Sequence, residues 1–328
     1  MWKVTNENTR PYLIEFRNYV IEPLLLSISN HITYKTFSDF NEYISETFPK
    51  NQNELLSYVV NKKHQGFKII DLVADVNHST IANQLSLYSK QTKQLDNLDF
   101  NITEESVDVE LSKLFRVFFY ELFFNDEFIW KKIKDENFSR KDFHEKFKKE
   151  NSLSICPYCD IDTIISDGNI VIEHFLPKSK FPFLSMHPNN LISCCQSCNG
   201  PYGKKTDYSI PIANPYTQQI GDFVSFDIDK YNHKVKLNAI ASIEIDNYLD
   251  LMQLKQRYGK DEIFEQIDLK SKVIFKQWRR LESLGFNIET HSLIMEDLNF
   301  RKESLTFAMK SICKEKVLYD NYKKMNKE

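Results

Sequence analysis

Cys156-Pro157-Tyr158-Cys159 and Cys195-Gln196-Ser197-Cys198-Asn199 bracket a segment unlike the rest of the chain, rich in Gly, Pro, Asn and Cys. Each Cys-x-x-Cys pair brings two thiolates within reach of one ion. Two such pairs close a tetrahedral four-cysteine zinc site of the structural kind, with no open coordination position. The stretch from Asp160 to Cys194 lies between the pairs, so it must fold back on itself to join them, and the metal staples everything it contains. A redox dithiol or a set of plain buried cysteines is the competing reading, and the paired spacing disfavours it. Cys194 competes with Cys195 as a ligand; only Cys195 leaves the two-residue gap to Cys198, which assigns Cys194 to the core. Cys313, alone in a helical pattern, reads as a small hydrophobe.

Working outward, Thr163–Ile165 and Asn169–Ile172, joined across Ser166-Asp167-Gly168, predict a hairpin, and Leu191–Cys194 predicts a further short strand after the loop Phe175–Asn190. Upstream, apolar residues recur at helical spacing, as in Leu111, Leu114, Phe115, Phe118, Phe119 and Leu122. Ser139 and Asp142 form a capping-box pattern opening a helix whose Phe143 and Phe147 share one face. Downstream, Phe223–Asp227 and Lys234–Ala239 predict a strand pair, followed by amphipathic helices from about Ile245 to the end. The expected class is α+β. It has three parts: a helical region over 1–150, a zinc-stapled module over 151–216 and a mainly helical region over 217–328.

Composition fits this plan. With 41% hydrophobic and 27% charged residues and only 7 Gly and 10 Pro, the chain reads as globular, and 328 residues allow two or three units. The longest apolar stretches, Tyr19–Ile28 and Leu114–Phe124, are interrupted and fall short of the roughly 20 residues needed to cross a bilayer. Met1–Arg10 is polar and lacks the apolar core of a secretory signal, so a cytoplasmic location without membrane contact is expected. A formal net charge of −3 argues against a passive, high-affinity nucleic-acid coat protein. It does not exclude an enzyme, which must release its product.

Inside the zinc frame lie, in order, Glu173-His174, Asn190 and Asn199. Together with the two cysteine pairs, this set resembles the zinc-containing branch of the HNH (ββα-metal) endonucleases. The wording Glu173-His174-Phe175-Leu176-Pro177-Lys178-Ser179 is similar to that of nucleases in bacterial anti-phage systems such as Septu. The resemblance implies a ββα-metal module that hydrolyses DNA phosphodiesters, leaving a 5′ phosphate and a 3′ hydroxyl, as the effector of an anti-phage system. It assigns His174 as general base, an imidazole being the natural group to deprotonate water near neutral pH. It assigns Glu173 and Asn199 as oxygen ligands of a catalytic Mg²⁺, which binds through few protein groups and keeps several waters; Mn²⁺ should substitute. Asn190 is expected to support the site by hydrogen-bonding the loop backbone. Glu173 stands where Asp is common and Asn199 where many members carry His. A partner ATPase of the defence complex is implied as well.

Plainer roles compete. An isolated His near a strand end is usually structural, and Asn199 can cap a following helix. Lys204 and Lys205 divide between phosphate contact and solvated surface, while His187 and Lys178 are weaker candidates. Lys131–Lys149 carries eight basic against four acidic residues, read first as a solvated face; Trp278-Arg279-Arg280 is ambiguous. Two rival functions stand beside DNA cleavage: an RNase, since phosphate chemistry does not read the sugar, and a non-catalytic zinc module binding nucleic acid or protein. Residues 151–210 hold four basic residues (Lys178, Lys180, Lys204, Lys205) against five acidic ones (Asp160, Asp162, Asp167, Glu173, Asp207), so this module should hold DNA weakly alone.

Overall fold

The computed structural model describes residues 1–30, 37–200, 202–286 and 302–325. Among them the chain is mainly helical with three small two-stranded sheets, and it divides into two compact units. The first comprises Met1–Val4, Asn151–Val171 and Cys194–Glu328; the second comprises Thr5–Glu150 and Ile172–Ser193.

In the second unit, the three-and-four spacing of large side chains produces helices that share an aromatic core. Leu114–Leu122 continues the helix Val109–Lys113 with π-type turns and buries Phe115, Phe118 and Phe119. Phe16 from the N-terminal helical stretch meets Phe119 and Trp130 at ring-centroid separations of 5.8 and 5.4 Å. Each such ring contributes roughly 1.5–3 kcal/mol on burial. Polar caps set the helix starts: Asp108 accepts from the amides of Glu110 and Leu111, and Asp126 from that of Ile129. The expected capping box is present. Asp142 Oδ2 accepts from the Ser139 amide at 2.8 Å, and the Asp142 amide donates to Ser139 Oγ at 3.3 Å, opening Arg140–Asn151 with Phe143 and Phe147 buried. Short strands β1 (Lys63–His64) and β2 (Phe67–Lys68) form a minor hairpin.

Strands β3 (Ile170–His174) and β4 (Leu191–Cys195) pair with each other. This corrects the expected hairpin. Thr163–Ile165 is not a strand; Thr163 makes one isolated bridge to Ile155, and Asp167–Asn169 forms a 3₁₀ turn leading into β3. The backbone groups of that stretch go to the cysteine knuckle instead, Cys156 N donating to Asp162 O and Ile164 N to Ser154 O.

In the first unit, β5 (Val224–Asp229) runs antiparallel to β6 (Lys234–Ala239) with Val224 opposite Ala239. Val224, Phe226, Val235 and Leu237 alternate onto the buried face. Ser242 caps Ile243–Leu251 by accepting from Ile245 N. Leu254–Tyr258 and the 23-residue helix Asp261–Ser283 follow, the latter burying Ile263, Phe264, Ile267, Phe275 and Trp278 along one stripe. Thr306–Lys314 and Lys316–Met325 close the described chain. The expected helical pattern over 287–301 and 326–328, and Pro201, lie outside the described residues. No described helix is long and apolar enough to cross a membrane.

Candidate functional site

The cysteine cluster lies wholly within the first unit. Cys156 and Cys159 flank a tight turn in which Asp160 N donates to Cys156 O, and Asp160 takes a left-handed φ of 59°. Cys195 ends β4, and Cys198 lies in the one-turn helix Gln196–Asn199. All four are buried, and their sulfurs lie within 4.8 Å of one another. Cys156 and Cys198 are separated by 3.7 Å and Cys159 and Cys195 by 3.9 Å. Four thiolates about 2.3 Å from a central zinc stand roughly 3.8 Å apart, so this buried cluster can bind a structural metal such as zinc. Cys194 is outside the set, its thiol donating to Cys195 O. Cys313 is buried in a helix, and burial pushes its thiol up to about 12.

The cluster's charge is managed from far along the chain. Burial resists ionisation of Cys156, yet hydrogen bonds from the neighbouring cysteines hold it well below the ordinary thiol range. Hydrogen bonds with Cys156 push Cys195 up, and burial does the same to Cys198. A bound divalent cation would remove that conflict by favouring all four thiolates. Arg257 Nη1 donates to Cys198 Sγ at 3.0 Å, while Nη2 reaches Asp162 Oδ2 at 3.2 Å. Burial works against the guanidinium's charge, and the negative field of Cys159 and Cys198 outweighs it, so Arg257 stays cationic. Further amides also donate to sulfur, Cys195 N to Cys156 Sγ and Ile161 N to Cys159 Sγ.

Other segments of the same unit fasten onto the knuckle backbone. Tyr248 and Tyr258 donate their hydroxyls to Tyr158 O and Cys159 O, each at 2.9 Å. The Met1 amine and Trp2 N both reach Pro157 O. Asp160, fully buried, accepts from Trp2 Nε1 at 2.9 Å and Phe307 N at 3.0 Å, and burial raises its carboxyl to about 6. After Cys198 the chain doubles back so closely that a Cβ on Gly203 would lie 1.6 Å from Ser197 O, leaving glycine as the sole fit.

Of the residues assigned catalytic roles from sequence, three lie in the second unit. His174 ends β3 and is 4% exposed; Glu173 before it is 9% exposed. His174 Nε2 lies 3.0 Å from Ser185 O. A carbonyl can only accept, so in the neutral ring Nε2 carries the proton and Nδ1 presents the lone pair. Ser185 is itself held, its hydroxyl donating to Phe115 O at 2.9 Å. Asn190 ties the loop together: Oδ1 accepts from Leu176 N, and Nδ2 donates to Leu176 O and Leu184 O. The Tyr120 ring packs edge-on against His174 at 4.3 Å, with its hydroxyl on Ile172 O. Lys178 and Arg140 hold cations 4.6 and 4.9 Å from the Tyr120 centroid.

Asn199, in the first unit, is exposed at the end of its one-turn helix. Residues 202–209 are irregular, so among the described residues no helix follows directly for it to cap. Lys204 is buried, and Lys205 pairs with Asp250 at 3.3 Å. The basic stretch 131–149 is a solvated face laced with pairs such as Lys131–Glu127 and Lys132–Glu54, each worth little. Trp278 is a buried core residue. His187 belongs to a buried network: Nδ1 accepts from Asn189 N, and Nε2 lies 3.2 Å from Asp96 Oδ1. Burial lowers the His187 pKa from its ordinary value, against the pull of Asp96. Burial also opposes ionisation of Asp96, but His187 and the Arg17 guanidinium, 2.9 Å away, hold that carboxyl far below the usual range. Sequence reasoning missed Arg257, Asp160, Asp162, Tyr120 and Asp96. Only the Trp2, Tyr248 and Tyr258 donors, buried aromatics needing a polar partner, gave any advance signal.

Comparison with known proteins returned a curated protein described as "Septu protein PtuB" from Bacillus thuringiensis, to which the chain is 31% identical over 105 residues. The aligned part is 32% of this chain and spans 39% of the length of that relative. No family model matches the chain. No solved structure matches it.

Proposed function

We propose that the chain is a metal-dependent HNH-type endonuclease that hydrolyses DNA phosphodiesters in bacterial anti-phage defence. The observation that carries this reading is the hydrogen bond of His174 Nε2 to Ser185 O, which leaves Nδ1 as the basic nitrogen of a ring clamped by Tyr120. A structural zinc site has no need of such a ring. The defence setting draws support from the similarity to a Septu protein, together with the Glu173-to-Ser179 wording.

In this mechanism His174 Nδ1 takes a proton from a water, the resulting hydroxide attacks phosphorus, and the 3′ oxygen departs in line. Glu173 offers a carboxylate and Asn199 an amide oxygen, each a donor type that Mg²⁺ or Mn²⁺ takes. A bound cation would supply charge neutralisation at the phosphate and the departing oxygen. Ser185 and Tyr120 keep the imidazole in one tautomer and orientation, and Asn190 fixes the loop that carries Ser185. Zinc in the four-cysteine cluster is structural.

The deciding experiment incubates purified protein with plasmid, single-stranded DNA and RNA, with and without Mg²⁺ or Mn²⁺. Divalent-dependent cleavage of DNA is expected. Cleavage of RNA alone moves the reading to an RNase of the same fold; no cleavage of any substrate, with a partner ATPase present too, leaves a non-catalytic zinc module.

A further inference from the structure

Beside the second cysteine pair the first unit opens a cavity of about 390 Å³. It is lined by Ser197 and Gly200, the residues on either side of the Cys198-Asn199 pair, and by the apolar Ile161 and Ile263. Tyr202 and Lys260 stand at its rim. We infer that this cavity receives one unpaired nucleotide of a nucleic-acid strand, its base against the Tyr202 ring and its phosphate on Lys260. Its role as a subsite for substrate rests on the nuclease reading above.

The chemistry follows from what lines the space. Tyr202 is 90% exposed, so its aromatic face pays the cost of hydration unless a flat partner covers it. An unstacked base is such a partner, and base–aromatic stacking tolerates any base because each has a π-face. A duplex keeps its bases stacked on one another and offers no free face. The volume sits near the small end of the roughly 300–1,000 Å³ typical of ligand pockets, room for a nucleoside and not for a helix. Among the described residues the Lys260 amine enters no ion pair. By contrast Arg257, deeper in the lining, is committed to Cys198 and Asp162, which cancels the Asp162 charge facing the cavity. With Asp261 and Glu262 beside it in the first turn of the long helix, Lys260 offers a single cation, enough for one phosphate and too little for a run of them.

The test uses the full chain with Ca²⁺ replacing Mg²⁺, so that binding is read without turnover. Labelled single-stranded DNA, the same sequence as RNA, and a duplex are titrated by anisotropy, and 5-iodouracil oligonucleotides are photo-cross-linked and mapped. Zinc content and circular dichroism confirm that each variant is folded. Tyr202→Ala should weaken single-strand binding about ten-fold, Tyr202→Phe should retain it, and Lys260→Ala should reduce the log–log salt slope by about 0.7. The cross-link should map to Tyr202, and the DNA and RNA arms identify the sugar. Binding unchanged in Tyr202→Ala and Lys260→Ala, or no cross-link at Tyr202 even at millimolar oligonucleotide, overturns the proposal. A chain that binds through Tyr202 but cleaves nothing overturns the nuclease reading alone. A chain that cleaves while both variants bind like wild type overturns the cavity alone.

Discussion

His174 Nε2 and the carbonyl oxygen of Ser185 stand 3.0 Å apart, and this one contact fixes which ring nitrogen can accept a proton. Because Ser185 hangs by its hydroxyl from Phe115 O, the tautomer of the imidazole is set by a side chain's attachment to a neighbouring helix.

His174→Ala is therefore expected to lower cleavage by about 10²–10⁴-fold, the usual worth of a general base. Fold and zinc content should be unchanged. Wild-type cleavage rates from the well-folded variant would remove His174 from the mechanism.

Elemental analysis of freshly purified protein should find one zinc per chain. Cys159→Ser and Cys198→Ser should each lose that zinc together with cooperative unfolding, since metal affinity and folding free energy are the same quantity at a closed site. Brief EDTA treatment should stop cleavage reversibly through the exchangeable Mg²⁺. Folded, zinc-free protein would sink the four-cysteine assignment.

Arg257 bridges Cys198 Sγ and Asp162 Oδ2 with two arms of one planar fork. Arg257→Ala should cost about 10–100-fold in zinc affinity, measured by competition with a chromogenic chelator. Lys cannot span both acceptors, so Arg257→Lys should fail to restore it. Unaltered affinity in both variants would show that the thiolates need no such donor.

Asp96, held down by Arg17 and His187, stabilises the fold in its ionised form. A carboxyl with a depressed folded pKa contributes stability that is complete above its unfolded value, near 4, and is lost as pH falls below that. Asp96→Asn should thus cost roughly 1–3 kcal/mol in urea unfolding at pH 7, with the difference from wild type shrinking below about pH 4. A gap that stays constant across this range would contradict the assignment.

The proposed defence role predicts dependence on a partner ATPase. At physiological salt and Mg²⁺ the chain alone should bind and cleave DNA weakly, because residues 151–210 carry more acid than base. Adding the proposed partner ATPase should raise both. Tight binding and full-rate cleavage by the isolated chain, unchanged by the ATPase, would show that its helical regions serve the nuclease itself.

Local chemistry made some of this legible in sequence. The Ser139–Asp142 cap depends on residues three apart, and the cysteine cluster on two gaps of two, so both could be read directly. The strand expected at Thr163–Ile165 failed because its alternation is real but its hydrogen bonds are claimed by Ser154 to Cys156. β4 is buried at every position and carries no period at all. Arg257 was invisible for a different reason. It lies 59 residues from Cys198, and nothing in the sequence around Tyr258 marks it as the thiolates' counter-charge.

The attachment of Asp160 to both Trp2 and the Leu305–Phe307 segment fixes an order of events during synthesis. The ribosome delivers residue 2 first, the knuckle next and residue 307 last. Until then the Asp160 carboxylate lacks one of its buried donors, and the cysteines have been made long before the unit around them can close. Such closure over more than 140 residues is a slow, late step. A metal bound at the four cysteines before that step would give the emerging chain a fixed point on which the 305–325 segment can settle, and a cell short of that metal during translation would accumulate chains still open around the knuckle.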